Sequence, residues 1–172
     1  MTFRTICSLI LTLLVWASCK KDDPKPLQAE VNAKLLAGDF GKSKSWSITG
    51  GTFQFSSGSV QPFNVSDCIS DNIYTFTNDN SQTYQATEGS TKCAANDPDV
   101  VESGTWAFTR DGKMIIILSN NTTNSAGSIF SYKGFAFPAE VIQITDASLQ
   151  IKMTVTSSTS ATKTYIFNFT KI

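Results

Sequence analysis

From residue 43 to residue 172, apolar residues fall on alternate positions in successive runs, and the connections between runs alternate between long and short. A period of two sends one face of each run to a core and the other to water, as in antiparallel strands. The predicted strands are residues 43–55, 72–77, 82–87, 104–109, 113–119, 141–145, 149–156 and 162–172. In the first, Trp46 and Ile48 share one face and Phe53 and Phe55 share another, with opposite parity. Gly50-Gly51 lies between the two pairs, where a bulge would re-aim the strand. Tyr74 and Phe76 align on one face of their strand, as do Trp106 and Phe108, and Tyr165, Phe167 and Phe169. Residues 113–119 are a continuous apolar run and are expected to be central. Residues 129–145 are interrupted near Gly134 and Pro138, and only their second half reads clearly as a strand.

Tight turns are expected at Asn78-Asp79-Asn80, Asp111-Gly112 and Asp146-Ala147. The connections over residues 56–71, 88–101, 120–128 and 157–161 are longer and polar. In an up-and-down meander, alternate connections lie at the same end. One end is therefore closed by tight turns, and the other carries the long loops. Eight antiparallel strands suit closure into a barrel that either fills with side chains or holds one small ligand. The expected fold is thus all-β, an eight-stranded up-and-down antiparallel barrel with a short N-terminal helix. That helix is residues 27–37, with Val31, Leu35 and Leu36 at helical spacing and Gly38 as its stop. Joined to the tight-turn end, it would plug that end.

Ahead of this domain, Arg4 supplies a positive start, residues 6–16 a short apolar run, and Ala17-Ser18 the small residues before Cys19. The run is too short for a bilayer span and reads as a secretory signal. An ordinary cleavage site near residue 18 is one reading. The preferred one is a bacterial lipoprotein signal, because the small-small-Cys ending resembles the lipobox, in which the cysteine sulfur is acylated and becomes the new N-terminus. Trp16 departs from the Leu usual in that motif. Residues 1–18 are then a leader, residues 19–26 a charged, proline-bearing linker on a lipid anchor, and residues 27–172 one domain. The partner this assigns is the lipid bilayer, reached through acylated Cys19. Lys20-Lys21-Asp22-Asp23 resembles the start of Bacteroidota lipoproteins, where an acidic pair serves as a surface-export signal. A linker facing the periplasm is the other reading. Either way the expected location is the outer membrane, lipid-anchored.

Without Arg4 the chain has 13 basic against 14 acidic residues, which argues against nucleic acid as a partner. It has no histidine, which removes the commonest general base, the Ser-His and Cys-His pairs and the usual zinc ligand. Catalysis, a metal and a cofactor are not expected. Asn78-Asp79-Asn80 and Asp97-Pro98-Asp99 lack the spacing of a calcium-binding EF-hand loop and sit where turns are expected. Ser131 and Lys133 are a spacing met by chance on a strand.

Cys7 leaves with the leader and Cys19 is acylated, so Cys68 and Cys93 remain in an oxidising compartment. Their midpoint falls between Asn80 and Ser81, at a predicted hairpin turn. Residues equidistant from such a turn face one another. A disulfide is therefore expected to join the two long loops at the open end, with two unpaired thiols as the alternative. No tryptophan lies between these cysteines, unlike an immunoglobulin-type sandwich, the competing fold.

Taken in order, Leu35-Leu36-Ala37-Gly38, Gly41-Lys42, Trp46, Asp67-Cys68, Cys93, Gly104-Thr105-Trp106, Ile142-Gln143-Ile144-Thr145, Leu149 and Tyr165-Ile166-Phe167 resemble the lipocalin-like domain of Bacteroidota lipoproteins. The resemblance spans residues 27–172 and rests on order and spacing. It implies a lipocalin-like barrel and carries no established activity or ligand residues. The Gly-x-Trp opening of true lipocalins is stretched here to Gly41 and Trp46, and Lys171 stands near where an arginine is usual.

Trp46, Tyr74, Phe76, Trp106, Phe108, Tyr165 and Phe167 would face the barrel interior. They either line an apolar pocket for a small hydrophobic ligand or fill the barrel outright. Trp46 is expected to be structural, beneath the helix. Residues 129–137, with Phe130, Phe135 and Phe137, form either a contact surface for a glycan or protein, or the first half of a bent strand. The two expected functions are a ligand-binding barrel and a non-catalytic interaction module.

Overall fold

The computed structural model describes residues 25–56, 58–120, 129–130, 136–156 and 162–172. These form helices α1 (Gln28–Ala37) and α2 (Asp67–Ser70) and strands β1 (Lys42–Phe55), β2 (Gln61–Phe63), β3 (Ile73–Asn78), β4 (Thr83–Thr87), β5 (Val100–Phe108), β6 (Met114–Ser119), β7 (Ala136–Ile144), β8 (Ser148–Thr156) and β9 (Thr162–Lys171). From β3 to β9 each strand pairs antiparallel with the next. β1 then closes the circle, pairing with β3 over Lys42–Trp46 and with β9 over Trp46–Phe55. The result is the expected eight-stranded antiparallel barrel.

The first strand carries the device that makes closure work. Thr49 is an extra residue between the Ile48–Phe169 and Gly50–Asn168 pairs, one position before the expected bulge site. It flips the parity, so that Trp46 and Ile48, and beyond the bulge Gly51, Phe53 and Phe55, face the same side. Gly50 takes φ +138°, a conformation side chains avoid. At Gly51 a Cβ would lie 2.0 Å from the Ile166 carbonyl oxygen, so only glycine lets β9 approach.

α1 covers the tight-turn end, as expected. Asn32 Nδ2 donates to the Gly112 carbonyl at 2.8 Å, Asn78 Nδ2 to Gly38 O at 2.7 Å, and the Trp46 indole N–H to Leu36 O at 2.8 Å. The buried face is Asn32, Ala33, Leu36 and Ala37. Val31 is exposed and Leu35 half-buried, which corrects the apolar stripe drawn through them. The turn after β5 approaches the helix closely there, with the Ala29 N–H donating to Arg110 O at 3.4 Å and a Cβ at Gly112 falling 2.6 Å from Gln28 Cγ.

The tight turns lie over residues 79–82, 109–113 and 145–147, all at the α1 end. Cys68, in α2, is disulfide-bonded to Cys93, with Cα atoms 5.0 Å apart, joining the two long loops at the other end. Strand β6 departs from expectation. Ile115, Ile117 and Ser119 are buried, but Ile116 and Leu118 are exposed on the outer wall. A closed barrel gives every strand two neighbours and one wet face, so a continuous apolar run does not mean burial on both sides. Proline is tolerated in β7, where Pro138 sits opposite Ile116 on that exposed face.

Candidate functional site

The strands place the inward aromatics in tiers. At the bottom, beneath α1, lie Trp46 and Trp106, the latter donating its indole N–H to Thr83 O at 3.0 Å. Phe108 packs edge-to-face on Trp106 at 5.7 Å and is half-buried beside Ala29, Ala33 and Phe40 at the plugged end, away from the mouth. Phe76 stacks on Tyr84 at 5.9 Å and meets Trp106 at 6.2 Å. Above them, Tyr74 and Phe169 meet edge-to-face at 5.6 Å.

Phe130 enters this tier from the β6–β7 connection. Its ring is 1% exposed, stacks on Phe169 at 6.2 Å and meets Tyr74 at 6.0 Å and Tyr84 at 6.2 Å. It is therefore part of the interior, which corrects the surface reading at Phe130. Ser131, Lys133 and Phe135 lie outside the described residues.

Burial pushes the Tyr74 and Tyr84 phenols well above their ordinary range, and the carboxylate of fully buried Glu102 adds to the effect. Both side chains are held neutral. Glu102, with Asn72 and Ser119, gives this wall of the barrel a buried polar lining that the sequence reading missed. The signal was Val101-Glu102: a register shift between Ala86 and Thr87 leaves Val101 unmatched in the β4–β5 ladder, so both residues are buried and the alternation breaks.

Exposure rises toward the open end. Along β9, Phe169 is 2% exposed and Phe167 6%, whereas Tyr165 and Lys163 are half-buried. Along β1, Phe53 is half-buried and Phe55 52% exposed. The floor therefore lies at Phe167, and below it the described interior side chains form one contiguous buried cluster. Above it stands an aromatic rim. Phe63, brought in by β2 alongside Gly51 and Phe53 of β1, meets Tyr165 at 6.0 Å and Phe167 at 5.7 Å. Phe53 meets Phe55 at 5.8 Å and Tyr165 at 6.4 Å.

Lys163 stands inside this rim. It pairs with Phe55 and Val155 across the two neighbouring strands and shares the inward face of Tyr165 and Phe167. Its ammonium lies 4.5 Å from the centre of the Phe53 ring, 5.0 Å from Phe55 and 4.9 Å from Tyr165. Each such contact contributes about 0.5–1 kcal/mol when partly wet.

No protein-family model matches the chain, and no curated protein matches it.

Of the seven residues expected to face the interior, Trp46, Tyr74, Phe76, Trp106 and Phe167 are buried there, Phe108 sits at the plugged end, and Tyr165 alone reaches the accessible rim. Phe53, Phe55, Phe63 and Lys163 complete that rim. Phe53 and Phe55 were legible from parity once the bulge was placed. Phe63 was not, because Gln61-Pro62-Phe63 is too short and carries a proline. Asp79 and Asp97, weighed for calcium, accept backbone N–H bonds within their own turns, Asp79 Oδ1 from Ser81 at 2.8 Å and Asp97 Oδ2 from Ala94 at 2.9 Å. Cys19 and the leader lie outside the described residues.

Proposed function

We propose that this chain is a membrane-anchored cell-envelope lipoprotein, similar to the lipocalin-like lipoproteins of Bacteroidota, whose barrel mouth binds a small apolar or amphipathic ligand. The observation that carries the ligand reading is the aromatic rim of Phe53, Phe55, Phe63 and Tyr165, left partly exposed above a closed floor. A clustered apolar surface in water is unfavourable, and proteins keep one where something covers it. The ligand sits on the floor at Phe167 rather than passing deep into the barrel, because rings occupy the tiers below. A shallow site of this kind suits a flat ring or the end of a chain.

The anchor reading rests on the residues up to Cys19. The described chain begins beside α1, at the plugged end, so a lipid on Cys19 would hold that end toward the bilayer and leave the mouth facing away. The interaction-module alternative is weakened at Phe130, whose ring is interior.

Native mass spectrometry of the protein extracted from its own membranes tests both parts. The expected result is a mass increment of two or three acyl chains, lost in Cys19→Ser, and a second, non-covalent increment from a retained ligand. An unacylated N-terminus overturns the anchor. A clean mass together with no binding of a neutral apolar fluorophore overturns the ligand reading.

A further inference from the structure

We infer that Lys163 is the specificity-determining residue of the mouth, and that the ligand is an anionic amphiphile whose charged group meets the Lys163 ammonium while its apolar body lies on the aromatic rim. The inference rests on the ligand reading above and narrows it to one charge.

The other inward positions around this rim are apolar or aromatic, namely Phe53 and Phe55 of β1, Phe63 of β2, Val155 of β8 and Tyr165 of β9 itself. A lysine at one of them is a departure that packing does not require, since a long side chain on a rim reaches water as easily by pointing outward. Instead it turns inward, its ammonium within 5.0 Å of three ring centres. Among the described residues, no carboxylate forms an ion pair with it. The rings satisfy the charge electrostatically without taking any of its three N–H donors. A held cation whose N–H donors meet no acceptor among the described residues, backed by apolar surface, is a receptor for an anion that brings apolar surface with it.

The geometry also limits the ligand. Lys163 and the floor residue Phe167 are four residues apart on one strand, roughly 13 Å at the usual rise. Tyr165 stands between them, stacked on Phe167 with ring centres 5.8 Å apart, so an anion at the ammonium lays a short apolar body, such as a bicyclic ring or the first several carbons of a chain, on the exposed faces of the rim rings. A small inorganic anion would gain only the exposed charge contact. A neutral amphiphile would gain only the ring contacts.

Two fluorophores of the same shape separate these contributions: anilinonaphthalene sulfonate, which is anionic, and N-phenylnaphthylamine, which lacks the sulfonate. Each is titrated against the full protein in detergent below its micelle concentration, and against Lys163→Met and Lys163→Arg. The expected result is that both dyes bind the native protein, that Lys163→Met weakens the anionic dye about tenfold and leaves the neutral one unchanged, and that Lys163→Arg restores the difference. Laurate should displace the anionic dye well below the concentrations at which dodecanol or acetate does. Equal loss of both dyes in Lys163→Met, or no loss of either, overturns the charge assignment and leaves the pocket. Failure of both dyes on the native protein overturns the pocket reading itself. A melting temperature for each variant within that of the native protein confirms that the comparison is of binding and not of folding.

Discussion

Truncating Phe130 to alanine should open a cavity in the barrel. The ring is 1% exposed and is enclosed by Tyr74, Tyr84 and Phe169, with centroids 6.0–6.2 Å away. An aromatic side chain buries at least ~150 Å², which at ~25 cal/mol per Å² is about 4 kcal/mol of gross transfer, roughly 3 kcal/mol once the retained Cβ is discounted. The three rings around the site are held by strands and relax only partly, so an unfilled cavity adds to the loss. The expected destabilisation is about 3–5 kcal/mol, the range for Phe→Ala in cores. For a domain of this size that lowers the melting temperature by about 10 °C. Urea unfolding followed by tryptophan fluorescence gives the midpoint and slope. The midpoint should fall with the slope unchanged, and benzene at a hundred times its dissociation constant should restore about 2.7 kcal/mol. A loss below about 1 kcal/mol at constant slope would refute the claim that a side chain from the β6–β7 connection fills the barrel.

Removing the Cys68–Cys93 bridge, closing a separation of 25 residues, should lower stability by about 3.5 kcal/mol in the chain-entropy treatment, read as a difference in urea midpoint between oxidised protein and the Cys68→Ser/Cys93→Ser variant. Gly51→Ala drives a Cβ into the Ile166 carbonyl oxygen, so it should cost about 1–3 kcal/mol and speed hydrogen exchange along the β1–β9 seam in particular; uniform exchange across the barrel would count against it. Tyr74 and Tyr84 are held protonated in the fold above the ordinary phenol value of about 10. Their contribution is fully present below that pH and is lost as pH rises toward the raised folded values, because the unfolded chain sheds its protons first. Circular dichroism during alkaline titration should therefore show Tyr74→Phe/Tyr84→Phe unfolding at higher pH than the native protein, and an unchanged midpoint would sink the assignment.

The alternation of apolar and polar residues made the barrel legible because each strand has one wet face and one dry face. The open and plugged ends were legible because turn chemistry at Asp79, Asp111 and Asp146 is local, and the disulfide because hairpin symmetry about Asn80 is local too. What the pattern could not report lay where a residue breaks that rule. Val101 is the extra residue in the β4–β5 ladder beside a buried Glu102, so β5 begins four residues earlier than its alternation does. Phe130 reaches the interior from a connection, and nothing in its neighbours' periodicity distinguishes an inserted ring from an exposed one. Lys163 is the instructive case. Its parity with Tyr165 and Phe167 places it inside, whereas its charge reads as outside, and charge is ordinarily the better guide. Alternation records which side chains escape water on folding. At the rung where the interior meets solvent neither answer is enforced by the core, so an inward lysine there is free to be chosen by whatever the mouth receives.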